Sequence, residues 1–206
     1  MSISLDQNNS IKNSSVSCLN AQSGYSSAIP IFGEPVKEVK LYLDMDGVLT
    51  DFSGACEKLG KHMIHWFDND KERFWKRVTY EGPEFWAEMP WMAGGKDLHG
   101  FLESYGFCPT ILTALPGPER GKALTYAREG KVQWLSKELG NQYAKNAILC
   151  FRPEKSLQSG SSRVLIDDNS ENIHEWEEAG GIGILHEDTK STIQNLSEIL
   201  EVEQKV

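Results

Sequence analysis

Apolar residues in this chain fall into short continuous runs, separated by stretches with helical spacing. Runs of strand length lie at 39–43, 110–112, 147–151, 164–166 and 182–185. A strand covered on both faces reads as such a run rather than as an alternation. Between the runs, Val132, Leu135 and Leu139 recur at i, i+3 and i+7, with Gly140 as a stop signal. This predicts a helix over 131–139. Ile173, Trp176 and Ala179 form a second stripe before Gly180-Gly181, and Ile193, Leu196 and Leu200 form a third. Strands alternating with helices predict an α/β fold, a doubly wound parallel sheet of five core strands.

Two intervals depart from this rhythm. Residues 53–95 hold no strand-like run but carry Trp66-Phe67, Phe74-Trp75, Phe85-Trp86 and Trp91. Four of the six tryptophans lie there, enough for the interval to have a core of its own. It is expected to be a small helical cap inserted after the first strand. Residues 1–36 are rich in Ser, Asn and Gln and poor in apolar clusters. Such a segment buries too little surface to offset its ordering entropy and is expected to be a disordered polar tail. The folded domain is then 37–206.

The 206 residues carry a net charge of -9, which disfavours general binding to nucleic acid. No stretch is long and apolar enough to span a membrane, and the first residues lack an apolar signal core. Cys18, Cys56, Cys108 and Cys150 are scattered without zinc spacing, and Cys150 sits in an apolar run. These features predict a cytoplasmic chain. His62 and His65 lie one helical turn apart, with no third metal ligand in view. There is no GxxxxGK[ST] loop and no Gly-x-Ser-x-Gly elbow.

The chemistry concentrates at strand ends. Asp44-Met45-Asp46-Gly47-Val48-Leu49-Thr50-Asp51-Phe52 follows the first apolar run directly. Doubly wound sheets place their sites at the carboxyl ends of strands. One carboxylate there can act as a nucleophile and a second can move a proton. The run at 164–166 ends in Asp167-Asp168, and two adjacent carboxylates at a rim call for a cation. Asp44 and Asp167, with Asp168 in support, make an oxygen site suited to Mg²⁺. Thr113, at the end of the second run, and Lys155, in the loop after the third, can hold phosphate oxygens. Lys131 is a further candidate cation. As the first residue of the expected helix it would oppose the helix dipole.

These residues in this order resemble the haloacid dehalogenase (HAD) superfamily of phosphohydrolases. Asp44-Met45-Asp46-Gly47-Val48 resembles the first motif, Thr113 the second, Lys155 the third and Asp167-Asp168 the fourth. A closer resemblance is to the 5'(3')-deoxyribonucleotidases, through Asp44 to Phe52, Phe74-Trp75, Lys131 to Leu135, and Trp176 to Gly181. The resemblance implies a Mg²⁺-dependent phosphomonoesterase acting on (deoxy)nucleoside monophosphates. It implies Asp44 as nucleophile, Asp46 as acid and base and as a metal ligand through its carbonyl, and Phe52, Phe74 and Trp75 as walls of a nucleobase pocket. Two departures stand out: Ala114 where that family often has a serine, and a stretch from Leu115 to Gly130 that reads as a long loop. A phosphatase of another small phosphate such as a sugar phosphate, a nucleic-acid 3'-phosphatase and a catalytically silent HAD-like binding protein are the alternatives. A homodimer is compatible with the sequence.

Overall fold

The computed structural model of the protein describes residues 39–204, with side chains to 200. The expected tail at 1–36 lies outside the described residues. Strands β1 (Lys40–Leu43), β2 (Thr110–Leu115), β3 (Ile148–Phe151), β4 (Arg163–Asp167) and β5 (Ile182–Leu185) form one sheet in the order β3-β2-β1-β4-β5. All four pairings are parallel. The fold is therefore a Rossmann-like α/β sheet. The chain builds β1, β2 and β3 outward on one side, then crosses to β4 and β5 on the other. The crevice outside the carboxyl ends of β1 and β4 is a topological switch point.

Leu41, Tyr42 and Leu43 of β1 are all buried, as a central strand with both faces covered requires. Tyr42, Leu112, Leu165, Ile173 and Trp176 form a core cluster on one face, with the Tyr42 and Trp176 rings 5.1 Å apart. Cys150 packs partly buried against this cluster.

Helices α1 (Phe52–Leu59), α2 (Met63–Asn69), α3 (Lys71–Glu81) and α4 (Glu84–Ala87) follow β1 and precede α5 (Gly95–Ser104). Asp51 caps α1 by accepting from the Gly54 N–H at 2.8 Å, which fixes where the chain leaves the sheet. The inserted segment leaves and returns side by side. The Asp51 N–H donates to the Pro90 carbonyl at 2.9 Å and the Met92 N–H to the Leu49 carbonyl at 2.7 Å. Phe67, Phe74 and Phe85, with buried Val78 and Trp86, give the insertion its interior.

Helix α6 (Lys122–Glu138) begins nine residues before the expected start at 131. Part of the stretch read as a long loop is thus helix, preceded by a short 3₁₀ turn at Pro118–Arg120. Its buried face is built from Ala123, Ala127, Gly130, Lys131, Trp134 and Leu135, with small residues in its first half. The cap packs closely on this face. A Cβ on Gly130 would stand 2.2 Å from the Pro83 carbonyl oxygen and 2.8 Å from Trp86 Cβ. Two indoles fasten the returning chain to the same helix. Trp134 donates to the Met89 carbonyl at 2.9 Å, and Trp91 donates to Glu138 at 2.7 Å. Helices α7 (Asn141–Asn146), α8 (Ser170–Glu178) and α9 (Thr189–Gln204) complete the layers. No described helix is long and apolar enough to cross a membrane.

Candidate active site

Asp44 is the first residue after β1, and its N–H still bonds the Ile166 carbonyl of β4 at 2.9 Å. The chain then folds back on itself. The Leu49 and Thr50 N–H groups both donate to the Met45 carbonyl, and the Gly47 N–H donates to the Thr50 carbonyl. This loop needs a left-handed residue, and Gly47 supplies it at φ +86°. A side chain there would also collide with the Asp168 carboxylate, whose oxygen lies 2.1 Å from the position of a Cβ. The glycine therefore lets the ends of β1 and β4 approach each other.

Four carboxylates and two ammonium groups meet at this rim. Lys155 is buried in a 3₁₀ segment (Arg152–Gln158) after β3 and bridges Asp44 Oδ1 and Asp167 Oδ2, each at 2.7 Å. Asp167 ends β4 and is fully buried. Its oxygens also accept from the Asn169 N–H at 2.9 Å and from the Asn172 amide at 3.0 Å on both sides. Lys131 is the second buried ammonium, at 1% exposure. It donates to Asp46 Oδ2 at 2.6 Å, the Thr113 hydroxyl at 2.7 Å and the Ala114 carbonyl at 2.8 Å. The Thr50 hydroxyl donates to the other Asp46 oxygen at 3.0 Å.

Charge is unevenly compensated. Burial pushes the Asp44 carboxyl up to about 7; Lys155 opposes this, while Asp167 and Asp46 reinforce it. Asp168 reaches solvent through the cleft but is crowded at its floor. Burial, then the neighbouring charge of Asp167, pushes it up to about 6. Burial also works against the charge of Lys155, but Asp44 and Asp167 outweigh it and hold that ammonium above its ordinary pKa.

Oxygens of Asp44, Asp167 and Asp168 converge to within 4.8 Å of one another. An all-oxygen, carboxylate-rich set with unneutralised charge suits a hard divalent cation such as Mg²⁺. Asp44 and Asp168 line the cleft, whereas Asp167 is held from behind by its three donors. Asp46 carries both its oxygens in hydrogen bonds and also lines the cleft.

The cleft has a volume of about 490 Å³ and lies between the sheet rim and the inserted helices. Phe52, Phe67, Trp75, Trp86 and Met92 form its apolar wall. Of the three aromatics expected to wall a nucleobase pocket, Phe52 and Trp75 line this cleft and Phe74 does not. Phe74 is fully buried behind them, with ring centroids 5.0 Å from both Phe67 and Trp75. Thr113 is likewise fully buried and lies behind Lys131, so the lysine and not the hydroxyl fronts the cleft. Lys131 itself lies in the middle of α6 rather than in a first turn, so the expected conflict with the helix dipole does not arise.

Several lining residues escaped the sequence reading. Phe67, Trp86 and Met92 carried no signal separating them from other cap aromatics and apolar residues. Arg152, Asn169 and Asn172 also line the cleft. Asn169 caps α8 by accepting from the Glu171 and Asn172 N–H groups, so the polar first turn of α8 faces the rim. An Asn three residues after a cap residue that itself follows paired acids was a readable sign of this.

No protein-family model and no curated protein matches the chain. Among solved structures, a hydrolase from Streptococcus pneumoniae TIGR4 aligns over 80% of this chain and 100% of its own, at 14% identity and a TM-score of 0.40. The strand order of the chain itself establishes the fold, and this likeness adds nothing to the chemistry.

Proposed function

We propose that the chain is a Mg²⁺-dependent phosphomonoester hydrolase that works through an aspartyl-phosphate on Asp44 and acts on (deoxy)nucleoside monophosphates. The observation that carries this reading is the pairing of each β1-end carboxylate with its own buried lysine beside a carboxylate triad, all at the floor of an aromatic cleft. It agrees with the HAD-like resemblance of the motifs.

Asp44 has one oxygen fixed by Lys155, which leaves the other without a hydrogen bond among the described residues. That oxygen attacks phosphorus, and the bond from phosphorus to the leaving oxygen breaks. Asp46, two residues on and held by Thr50 and Lys131, gives its proton to the leaving oxygen. It then takes a proton from the water that hydrolyses the acyl phosphate, which returns Asp44 to its starting state. Lys155 and Lys131 are already gathered at the rim and supply cationic donors for the phosphate oxygens. Asp44, Asp168 and Asp167, with the Asp46 carbonyl, would hold Mg²⁺, which would offset the charge of the phosphoryl group. Phe52, Trp75 and Phe67 offer aromatic faces to a planar leaving group. The cap roofs the site, which favours a small substrate over a nucleic-acid end.

The test is a screen of 5'- and 3'-phosphorylated ribo- and deoxyribonucleosides with Mg²⁺, alongside sugar phosphates. Wild-type protein should release phosphate from nucleotides, lose the activity in EDTA and regain it with Mg²⁺. Asp44→Asn should abolish turnover while leaving the circular dichroism unchanged. Release of phosphate by Asp44→Asn at the wild-type rate, or full activity in chelator, would refute the reading. Turnover confined to sugar phosphates would keep the chemistry and change the substrate.

A further inference from the structure

We propose that Arg152 and Asn172 are positioning residues for the acidic triad: Arg152 orients the Asn172 amide, and that amide holds the Asp167 carboxylate in the attitude in which it meets a divalent cation. The inference rests on the metal site proposed above.

Asn172 lies in the first turn of α8 and is 5% exposed. Its Nδ2 is 3.0 Å from both oxygens of Asp167. Of the three donors to that carboxylate, it alone spans both oxygens and so sets the tilt of the carboxylate plane. Lys155 is shared with Asp44, and the Asn169 N–H reaches one oxygen only.

An amide has two ends of nearly equal shape and opposite character. Turned over, Asn172 would set its carbonyl oxygen against a carboxylate, acceptor against acceptor. Arg152 decides between the two orientations. Its Nη1 donates to Asn172 Oδ1 at 3.2 Å, and a guanidinium has no acceptor to offer the other end. Arg152 is itself fixed by both oxygens of Glu175, at 3.0 and 3.3 Å, with Glu171 at 3.4 Å. This planar fork locks its direction. Arg152 also opens the 3₁₀ segment that carries Lys155. One guanidinium thus ties the segment bearing the Asp44 lysine to the helix bearing the Asp167 amide.

The order of the chain, guanidinium to amide to carboxylate, makes the proposal testable as a double-mutant cycle. The readout is Mn²⁺ affinity of the full-length chain, measured by calorimetry and by the electron paramagnetic resonance of free Mn²⁺. Outer hydrogen-bond partners of metal ligands typically tune affinity about 10–100-fold. Asn172→Ala should weaken Mn²⁺ binding by an amount in that range. Arg152→Met should weaken it at least about threefold, within the same effect. The double variant should bind no more weakly than Asn172→Ala alone.

If Arg152 merely braces α8 through Glu175, its loss weakens binding by the same factor whether or not Asn172 is present. Such additivity overturns the proposal, as does unchanged affinity in either single variant. Should Asn172→Ala fail to fold, half-buried Arg152→Met still decides: wild-type Mn²⁺ affinity in a folded Arg152→Met chain overturns the proposal. If the wild-type chain does not bind Mn²⁺, the metal reading fails and takes this role with it. Wild-type binding with a flat or additive cycle removes the positioning role alone.

Discussion

Replacing Gly130 by alanine sets two physical effects of opposite sign against each other. Gly130 lies inside α6, where exchange of glycine for alanine ordinarily stabilises a helix by about 1 kcal/mol. Here the added methyl would lie 2.2 Å from the Pro83 carbonyl oxygen, 2.8 Å from Trp86 Cβ and 3.0 Å from the Ala87 nitrogen. Ordinary contact begins near 3.4 Å, so α4 would have to retreat by about an ångström. Two of these neighbours are backbone atoms, which cannot swing away. Because backbone must move, the cost lies in the upper part of the overpacking range, about 2–3 kcal/mol, so the net expectation is a loss of about 1–2 kcal/mol. With a urea slope of about 2 kcal/mol/M, the unfolding midpoint should fall by about 0.5–1 M at unchanged slope. Because Trp86 lines the cleft, KM should rise in the same variant. A midpoint at or above that of the wild type would show that the close approach of cap and α6 has been misjudged.

The two neighbouring cap aromatics should separate cleanly. Trp75→Ala should raise KM for a nucleoside monophosphate about 5–100-fold, the scale of a lost stacking contact of about 1–3 kcal/mol, and much less for p-nitrophenyl phosphate. Equal effects on both substrates would return Trp75 to the cap interior. Phe74→Ala should instead lower stability by about 3–5 kcal/mol, read by thermal melting. Asp46→Asn should reduce kcat at least about a hundredfold, and an undiminished kcat would remove Asp46 from acid–base duty. Asp44 should act against stability in metal-free protein. Its folded-state pKa of about 7 lies above the ordinary 3.8, so the fold prefers the protonated form. Its contribution is present below about pH 4 and is lost as pH rises through about 7. Asp44→Asn should therefore melt higher than wild type at pH 8, with the gap closing toward pH 4. A lower melting temperature at pH 8 would contradict the assignment.

The sheet was legible because buried parallel strands are written as uninterrupted apolar runs. β2 was cut short at Leu112 because Thr113 interrupts the run. The strand continues because that hydroxyl is occupied inside the protein by Lys131. The start of α6 was illegible for a related reason. The first part of its buried stripe is Ala123, Ala127, Gly130 and Lys131, small or charged residues that make no bulky apolar run. Close helix packing selects against bulk, so this close contact left a faint trace. The acidic half of the site was legible because the acids follow strands directly. The link that orients it, from Arg152 to Asn172, was not, because hydrogen bonding between a 3₁₀ turn and a helix across 20 residues has no local pattern.

The charge inventory at the strand rim has a consequence for the order of events. With all four ionised, Asp44, Asp46, Asp167 and Asp168 have only Lys131 and Lys155 as direct ammonium partners among the described residues, an excess of two negative charges. A phosphomonoester dianion arriving first would meet a field of its own sign. One divalent cation brings this inventory to neutrality. On the proposed function, loading should be sequential, cation before substrate, and the chain should fail to retain a phosphomonoester without the cation, however well the aromatic wall fits the rest of the molecule.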